Sequence, residues 1–259
     1  MQSTATASWA KQQTQPVLLS VLALPAFWMS YVWQSPWIAL GYTVTLLILF
    51  AVCKIKQFTA PIGVLCLVLA VRNAGHISIF AFWPMGMIFA ATALWILLKL
   101  TIGLRMTGSW KNHLSAAELF SSVLILLISL PVLIFYYQSH PQVAKQFPLP
   151  AMPLWLTPIA IFGIAAVNGF LEELVYRFIL MEGLLRTCSA TSAILLTAIA
   201  FGFLHYKGGF PAGYTGVFLT FLFGTALGIQ YYRFKNIPLT WFTHSATDFI
   251  MFLIILYTK

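Results

Sequence analysis

Six ionisable side chains stand at helical spacing inside runs that are otherwise apolar: Glu172, Glu173 and Arg177 in FLEELVYRFIL, His205 in FGFLHYK, and His244 with Asp248 in THSATDF. A carboxylate and an imidazole held together away from bulk water can take a proton from a water molecule and make it a nucleophile. A further imidazole can donate to the negative charge that grows on an attacked carbonyl oxygen. Ionisable groups at membrane depth cost at least ~2.5–3.5 kcal/mol each on insertion scales, so they face a protein-lined interior and pair with one another.

Glu173 and Arg177 are four residues apart with the acid first, the favourable order on a helix. At ~100° per residue in a regular helix, Glu172, Tyr176, Glu173 and Arg177 fall at about 0°, 40°, 100° and 140°, all on one side. Arg177 then neutralises and orients Glu173, and Glu172 is left to act on something else. A single buried Glu–Arg pair would serve packing equally well. The second glutamate is what a packing device does not need. Phe201 and His205 are four apart, as are His244 and Asp248, so each pair shares a helix face. One histidine on an apolar helix is ordinarily a satisfied core residue. Two of them, with two glutamates, on three spans are poorly explained that way.

Depth can be counted. If a hairpin turns near Cys188, Glu172 is 16 residues before it and His205 is 17 after it, which puts the two at nearly equal depth at ~1.5 Å per residue. His244 lies about nine residues past the loop from Arg233 to Ile237, shallower by roughly 12 Å on the same count. Bringing it level requires a tilt, an interrupted helix, or a re-entrant GGFPAGY segment.

The elements that must position these groups follow from composition. Of 259 residues, 61% are hydrophobic and 7% charged, against about 25% charged in a soluble domain. Apolar runs near 16–33, 37–53, 79–98, 116–137, 153–180, 190–206, 212–232 and 238–257, with a shorter one at 58–72, predict an all-α, polytopic transmembrane bundle of eight or nine helices. The runs before about residue 150 are nearly pure Leu, Ile, Val, Ala, Phe and Trp, which reads as an N-terminal scaffold over 1–150. The polar groups within spans begin after residue 153. The first run is either an uncleaved anchor or a signal peptide.

The net charge of +9 comes from basic residues spread singly along the chain, which excludes a nucleic-acid groove. With a cytoplasmic N-terminus and nine alternating spans, Lys11, Lys54, Lys56, Lys99, Arg105, Lys111, Arg186, Arg233 and Lys235 fall inside. Arg72, Lys145, Lys207 and Lys259 fall outside, in keeping with the positive-inside bias. The other acids are Glu118, a first-turn glutamate after NHLSAA, and Glu182, near a helix end and expected at the interface. Cys53, Cys66 and Cys188 share no ligand or disulfide spacing and read as buried small hydrophobes.

The motifs EExxxR (Glu172, Glu173, Arg177), FxxxH (Phe201, His205) and HxxxD (His244, Asp248) together resemble the CPBP family of intramembrane proteases, which includes type 2 CAAX prenyl endopeptidases and lysostaphin-resistance-A-like proteins. The resemblance covers about 155–252 and implies a catalytic transmembrane domain there. It implies that Glu172 activates water, that His205 positions or deprotonates it, and that His244 and Asp248 form the oxyanion site. Glu173, Arg177 and Phe201 would be support. A charged Asp248 would repel an oxyanion, so it is either protonated or acts through His244. Glu172, His205 and His244 could also make a His₂Glu set for zinc or another divalent metal; the expectation is that no metal is obligatory. The expected partner is a membrane-associated peptide or protein in the lipid bilayer, in a bacterial cytoplasmic membrane. The rivals are a non-catalytic scaffold or immunity factor against antimicrobial peptides, and a proton-relay transporter. Transporters commonly carry paired repeats, and the first half of this chain has no charges matching those of the second.

Overall fold

A computed structural model describes residues 2–74, 84–111, 113–145, 152, 153, 155–207 and 209–258. Residues 79–83 of the third expected span, Gly208 of the GGFPAGY segment and Lys259 lie outside the described residues. The helices are α1 (Gln2–Phe27), continued by a π-helical turn at Trp28–Val32, α2 (Pro36–Val52), α3 (Lys56–Ala74), α4 (Met85–Ile102), α5 (Ala116–Ser139), the short α6 (Pro141–Lys145), α7 (Thr157–Leu185), α8 (Ala190–Leu204), α9 (Gly213–Phe234) and α10 (Ile237–Thr258). No strand occurs among the described residues; an isolated bridge joins Ser109 to Asn236. Among the described residues, six helical stretches are long and apolar enough to cross a membrane: Gln15–Val32, α4, α5, α7, α9 and α10. α2 and α8 are apolar but shorter. The protein is an integral, multi-pass, all-α membrane bundle.

Local sequence sets several helix ends. Ser115 and Glu118 form a reciprocal capping box at the start of α5, with Ser115 N donating to Glu118 Oε2 at 2.8 Å and Glu118 N to Ser115 Oγ at 3.3 Å. Ser189 caps α8 by accepting from Ser192 N, and Gly103 ends α4 in the left-handed conformation that a glycine adopts without steric cost.

Small residues let the helices that matter for the site approach closely, as membrane bundles require when burial from water supplies no drive. A β-carbon on Gly169 of α7 would lie 2.6 Å from Ser245 Oγ and 3.1 Å from Ser245 N on α10. One on Gly202 of α8 would lie 2.8 Å from the Val217 carbonyl of α9. Trp241 of α10 also donates its indole N–H to the Ala166 carbonyl of α7 at 2.8 Å. α1 packs against α8, and α5 against α10.

The segment between α4 and α5 lies across the α9–α10 turn. Ser109 N donates to the Lys235 carbonyl at 2.7 Å, and Ile237 N donates to the Ser109 carbonyl at 3.0 Å. Glu118 is buried there and accepts from Asn236 Nδ2 at 3.0 Å and Lys111 Nζ at 3.3 Å. Glu182, expected near the membrane interface, is covered by other side chains at 3% exposure. Its carboxylate accepts from Thr107 Oγ1 at 2.8 and 2.9 Å, Tyr231 OH at 2.8 Å and Lys235 Nζ at 2.5 Å. Of the cysteines, Cys66 is buried, but Cys53 is exposed because it caps the end of α2, and Cys188 is intermediate. Burial pushes the Cys188 thiol up to about 12, so it is no nucleophile near neutral pH.

Candidate active site

The buried polar groups of α7, α8 and α10 converge on one point. Glu173 Oε1 is shared by Arg177 Nη1 at 3.0 Å and His244 Nδ1 at 2.7 Å. The other side of the His244 ring, Nε2, stands 3.3 Å from Glu172 Oε2 and 3.7 Å from Asp248 Oδ1. The imidazole is therefore clamped between the two adjacent glutamates. Glu172 Oε2 is buried, and its contact at 3.3 Å is with His244 Nε2. A carboxylate oxygen has more than one lone pair, so this one can also accept from a water.

The orienting pair expected from the sequence is present, with an addition. Arg177 is 1% exposed, donates through Nη2 to the Gly224 carbonyl of α9 at 3.2 Å, and lies 4.9 Å over the Phe201 ring. Gly224 is open enough for this because a side chain there would meet Phe201 at 3.0 Å and Arg177 Nη2 at 3.5 Å. The regular-helix phases assumed for Glu172 to Arg177 do not hold throughout. The backbone changes from α to π at Leu174 and stays π to Met181, which widens the turn that carries Arg177; such π segments are frequent at functional sites.

Phe201 is the hub of the packing. Its ring meets His205 edge-on at 4.8 Å, His244 at 5.7 Å and Tyr176 at 5.2 Å. Its carbonyl faces His205 Nδ1 at 3.0 Å. A carbonyl only accepts, so Nδ1 carries the hydrogen and the neutral ring offers Nε2 as an acceptor. His205 is the C-cap of α8, one residue past its last helical turn. It lines a cavity of about 70 Å³ with Phe201, His244 and Asp248, closed by Thr220, Phe223 and Thr247.

His244 is level with the glutamates, and the expected depth mismatch disappears. The α9–α10 turn does not sit at the height of Cys188 but docks lower, on Glu182. From the Glu182–Lys235 contact it is nine positions back to Glu173 and nine forward to His244.

Asn168 was not singled out from the sequence. Its Nδ2 donates to Asp248 Oδ2 at 3.0 Å, and its position four residues before Glu172 was the available signal. The Gly224 carbonyl leaves no mark in a sequence. Among the described residues no group of three or more His, Cys, Asp or Glu side chains is arranged to hold a metal. Glu173 engages Nδ1 of His244 and the Phe201 carbonyl Nδ1 of His205, which leaves Nε2 of each ring toward the glutamates and the cavity, and no step below runs through a metal.

A buried carboxylate, an imidazole whose Nδ1 is held by a carbonyl, and a clamped imidazole on α10 make up a candidate hydrolytic site among apolar helices. Residues 153–250 match the family model described as type II CAAX prenyl endopeptidase Rce1-like. The match covers residues 153–250 of the 259, and this segment is similar to that family. No curated protein and no solved structure matched the chain.

Proposed function

We propose that the protein is an intramembrane endopeptidase that hydrolyses a peptide bond of a membrane-associated peptide or protein. A water held between Glu172 Oε2 and His205 Nε2 gives a proton to Glu172 as its oxygen attacks the scissile carbonyl. The carbonyl becomes a tetrahedral oxyanion facing His244 Nε2, and the proton passes from Glu172 to the leaving amine as the C–N bond breaks. One water is consumed, and a carboxylic acid and an amine leave. The observation that carries this is the buried Glu172 carboxylate, whose Oε2 stands 3.3 Å from His244 Nε2.

In this scheme Glu173 fixes the His244 ring from the Nδ1 side, with Arg177 holding Glu173. Asp248 acts through His244, its second oxygen engaged by Asn168, so it need not face the oxyanion directly. The helices before residue 150 serve as scaffold, the N-terminus is cytoplasmic, and the host membrane is a bacterial cytoplasmic membrane.

The test compares membrane peptides in cells carrying the wild type and Glu172→Gln at equal expression. A stable uncleaved membrane substrate confined to the variant supports hydrolysis. A cellular phenotype that survives Glu172→Gln sinks it in favour of a binding role.

A further inference from the structure

The catalytic cavity does not end at His205 and His244. Ser129 and Val132 of α5 and Leu219 and Phe223 of α9 line both it and a second cavity of about 160 Å³ on the α5–α9 seam. Ile125 and Ala226 line that second cavity and also a third, of about 440 Å³, which continues between the same helices to Arg233. The three spaces form one track from the reactive groups to the end of α9. Its flank is open, since Ile128, Leu222 and Ile229 are exposed.

The walls fit a peptide with apolar side chains. At the inner end Ser129, Thr220 and Thr247 bring hydroxyls from three helices, and hydroxyl lone pairs accept from backbone N–H groups. Further along, the lining is Leu, Ile, Phe and Ala until Ser121, Gln230 and Arg233. Arg233 is exposed and rests over the Phe234 ring at 5.5 Å, with no carboxylate at ion-pair distance among the described residues. From Phe223 to Arg233 is ten positions, about 15 Å of helix, which an extended chain covers in about five residues.

We infer that the α5–α9 seam is the substrate groove: an apolar, extended peptide segment lies along it, with the bond to be cut at the His205–His244 end and an acidic group against Arg233. This rests on the proposed hydrolysis for the chemistry but not for the binding, and the two are separable by experiment.

The probe is a synthetic peptide with a ~20-residue apolar span and an acidic tail, presented in vesicles to the full-length protein. In the Glu172→Gln background, benzoylphenylalanine placed at Leu222 cross-links this peptide on illumination, whereas the same group at Val21, on an exposed apolar groove of α1, does not. In the active protein Leu222→Trp lowers cleavage of the peptide about tenfold or more, because a displaced bond loses its alignment, and Val21→Trp leaves it unchanged. Arg233→Glu lowers cleavage of the acid-tailed peptide about tenfold, and a lysine-tailed peptide restores it. Equal cross-linking at both positions, or none at Leu222, overturns the groove, the second result meaning that lipid alone fills the seam. Cross-linking at Leu222 without any cleavage by the wild type supports the groove and defeats hydrolysis.

Discussion

Lys235 Nζ lies 2.5 Å from Glu182 Oε1, and this contact sets the height at which His244 meets Glu173. One half of the site hangs from Glu182 along α7 and the other from Lys235 along α10, nine positions each. Thr107 and Tyr231 hold the same carboxylate. Replacing Glu182 by Leu removes an acceptor from Thr107, Lys235 and Tyr231; Tyr231 is the buried one of the three, and the loss there costs about 1–3 kcal/mol. The expected result is a lower unfolding temperature together with loss of peptidase activity. Activity persisting at the wild-type level in a destabilised protein would mean that the contact does not set the site's register.

Glu172 and Glu173 are neighbours with different partners, so their amides should behave differently. Glu172→Gln keeps the shape and removes the base, with a loss of about 10²–10⁴-fold in kcat and an unchanged melting profile. Glu173→Gln weakens the hold on both Arg177 and His244, and should lower activity and stability together. Parallel kcat and unfolding measurements separate the two outcomes.

Arg177 is a buried charge whose removal leaves Glu173 uncompensated. Arg177→Met alone is expected to cost about 3–5 kcal/mol, while the pair Arg177→Met with Glu173→Leu should recover most of that stability. The double variant should remain inactive, because His244 loses its Nδ1 partner. Denaturation in detergent together with a cleavage assay checks both parts.

The α7–α10 crossing tolerates no added bulk at Gly169, where a β-carbon would meet Ser245 Oγ at 2.6 Å. Gly169→Ala should cost about 1–3 kcal/mol through overpacking and lower kcat by moving His244 from Glu172. Gly163→Ala, on the same helix with nothing within 4 Å, should leave both unchanged.

Exhaustive chelation should leave the activity of the purified protein intact. Elemental analysis accompanies the assay, and stoichiometric zinc whose removal abolishes cleavage would overturn the metal-free scheme.

The residues of the site were legible because helical periodicity prints them at fixed spacing: Glu173 with Arg177, Phe201 with His205, His244 with Asp248. The equal-depth argument worked only where one hairpin joined the two helices. It misplaced His244 because the height of α10 is decided by Glu182 with Thr107 and Lys235, which stand 75 and 53 residues from it and have no periodic relation to it. Glu182 itself looked like an interfacial acid, since a helix end gives no sign that three donors from other elements will cover it. The π segment from Leu174 to Met181 likewise depends on neighbours such as the Gly224 carbonyl, and not on any residue type within it.

The strand-like contact of Ser109 with Lys235 and Ile237 has a consequence for biogenesis. Ser109 leaves the ribosome well before α10, so the surface that receives the α9–α10 turn is already waiting when the turn arrives. Until then the nascent chain holds Glu172 and Glu173 without His244 or Asp248. On the proposed mechanism, the chain therefore has a complete site only once α10 has packed against α7.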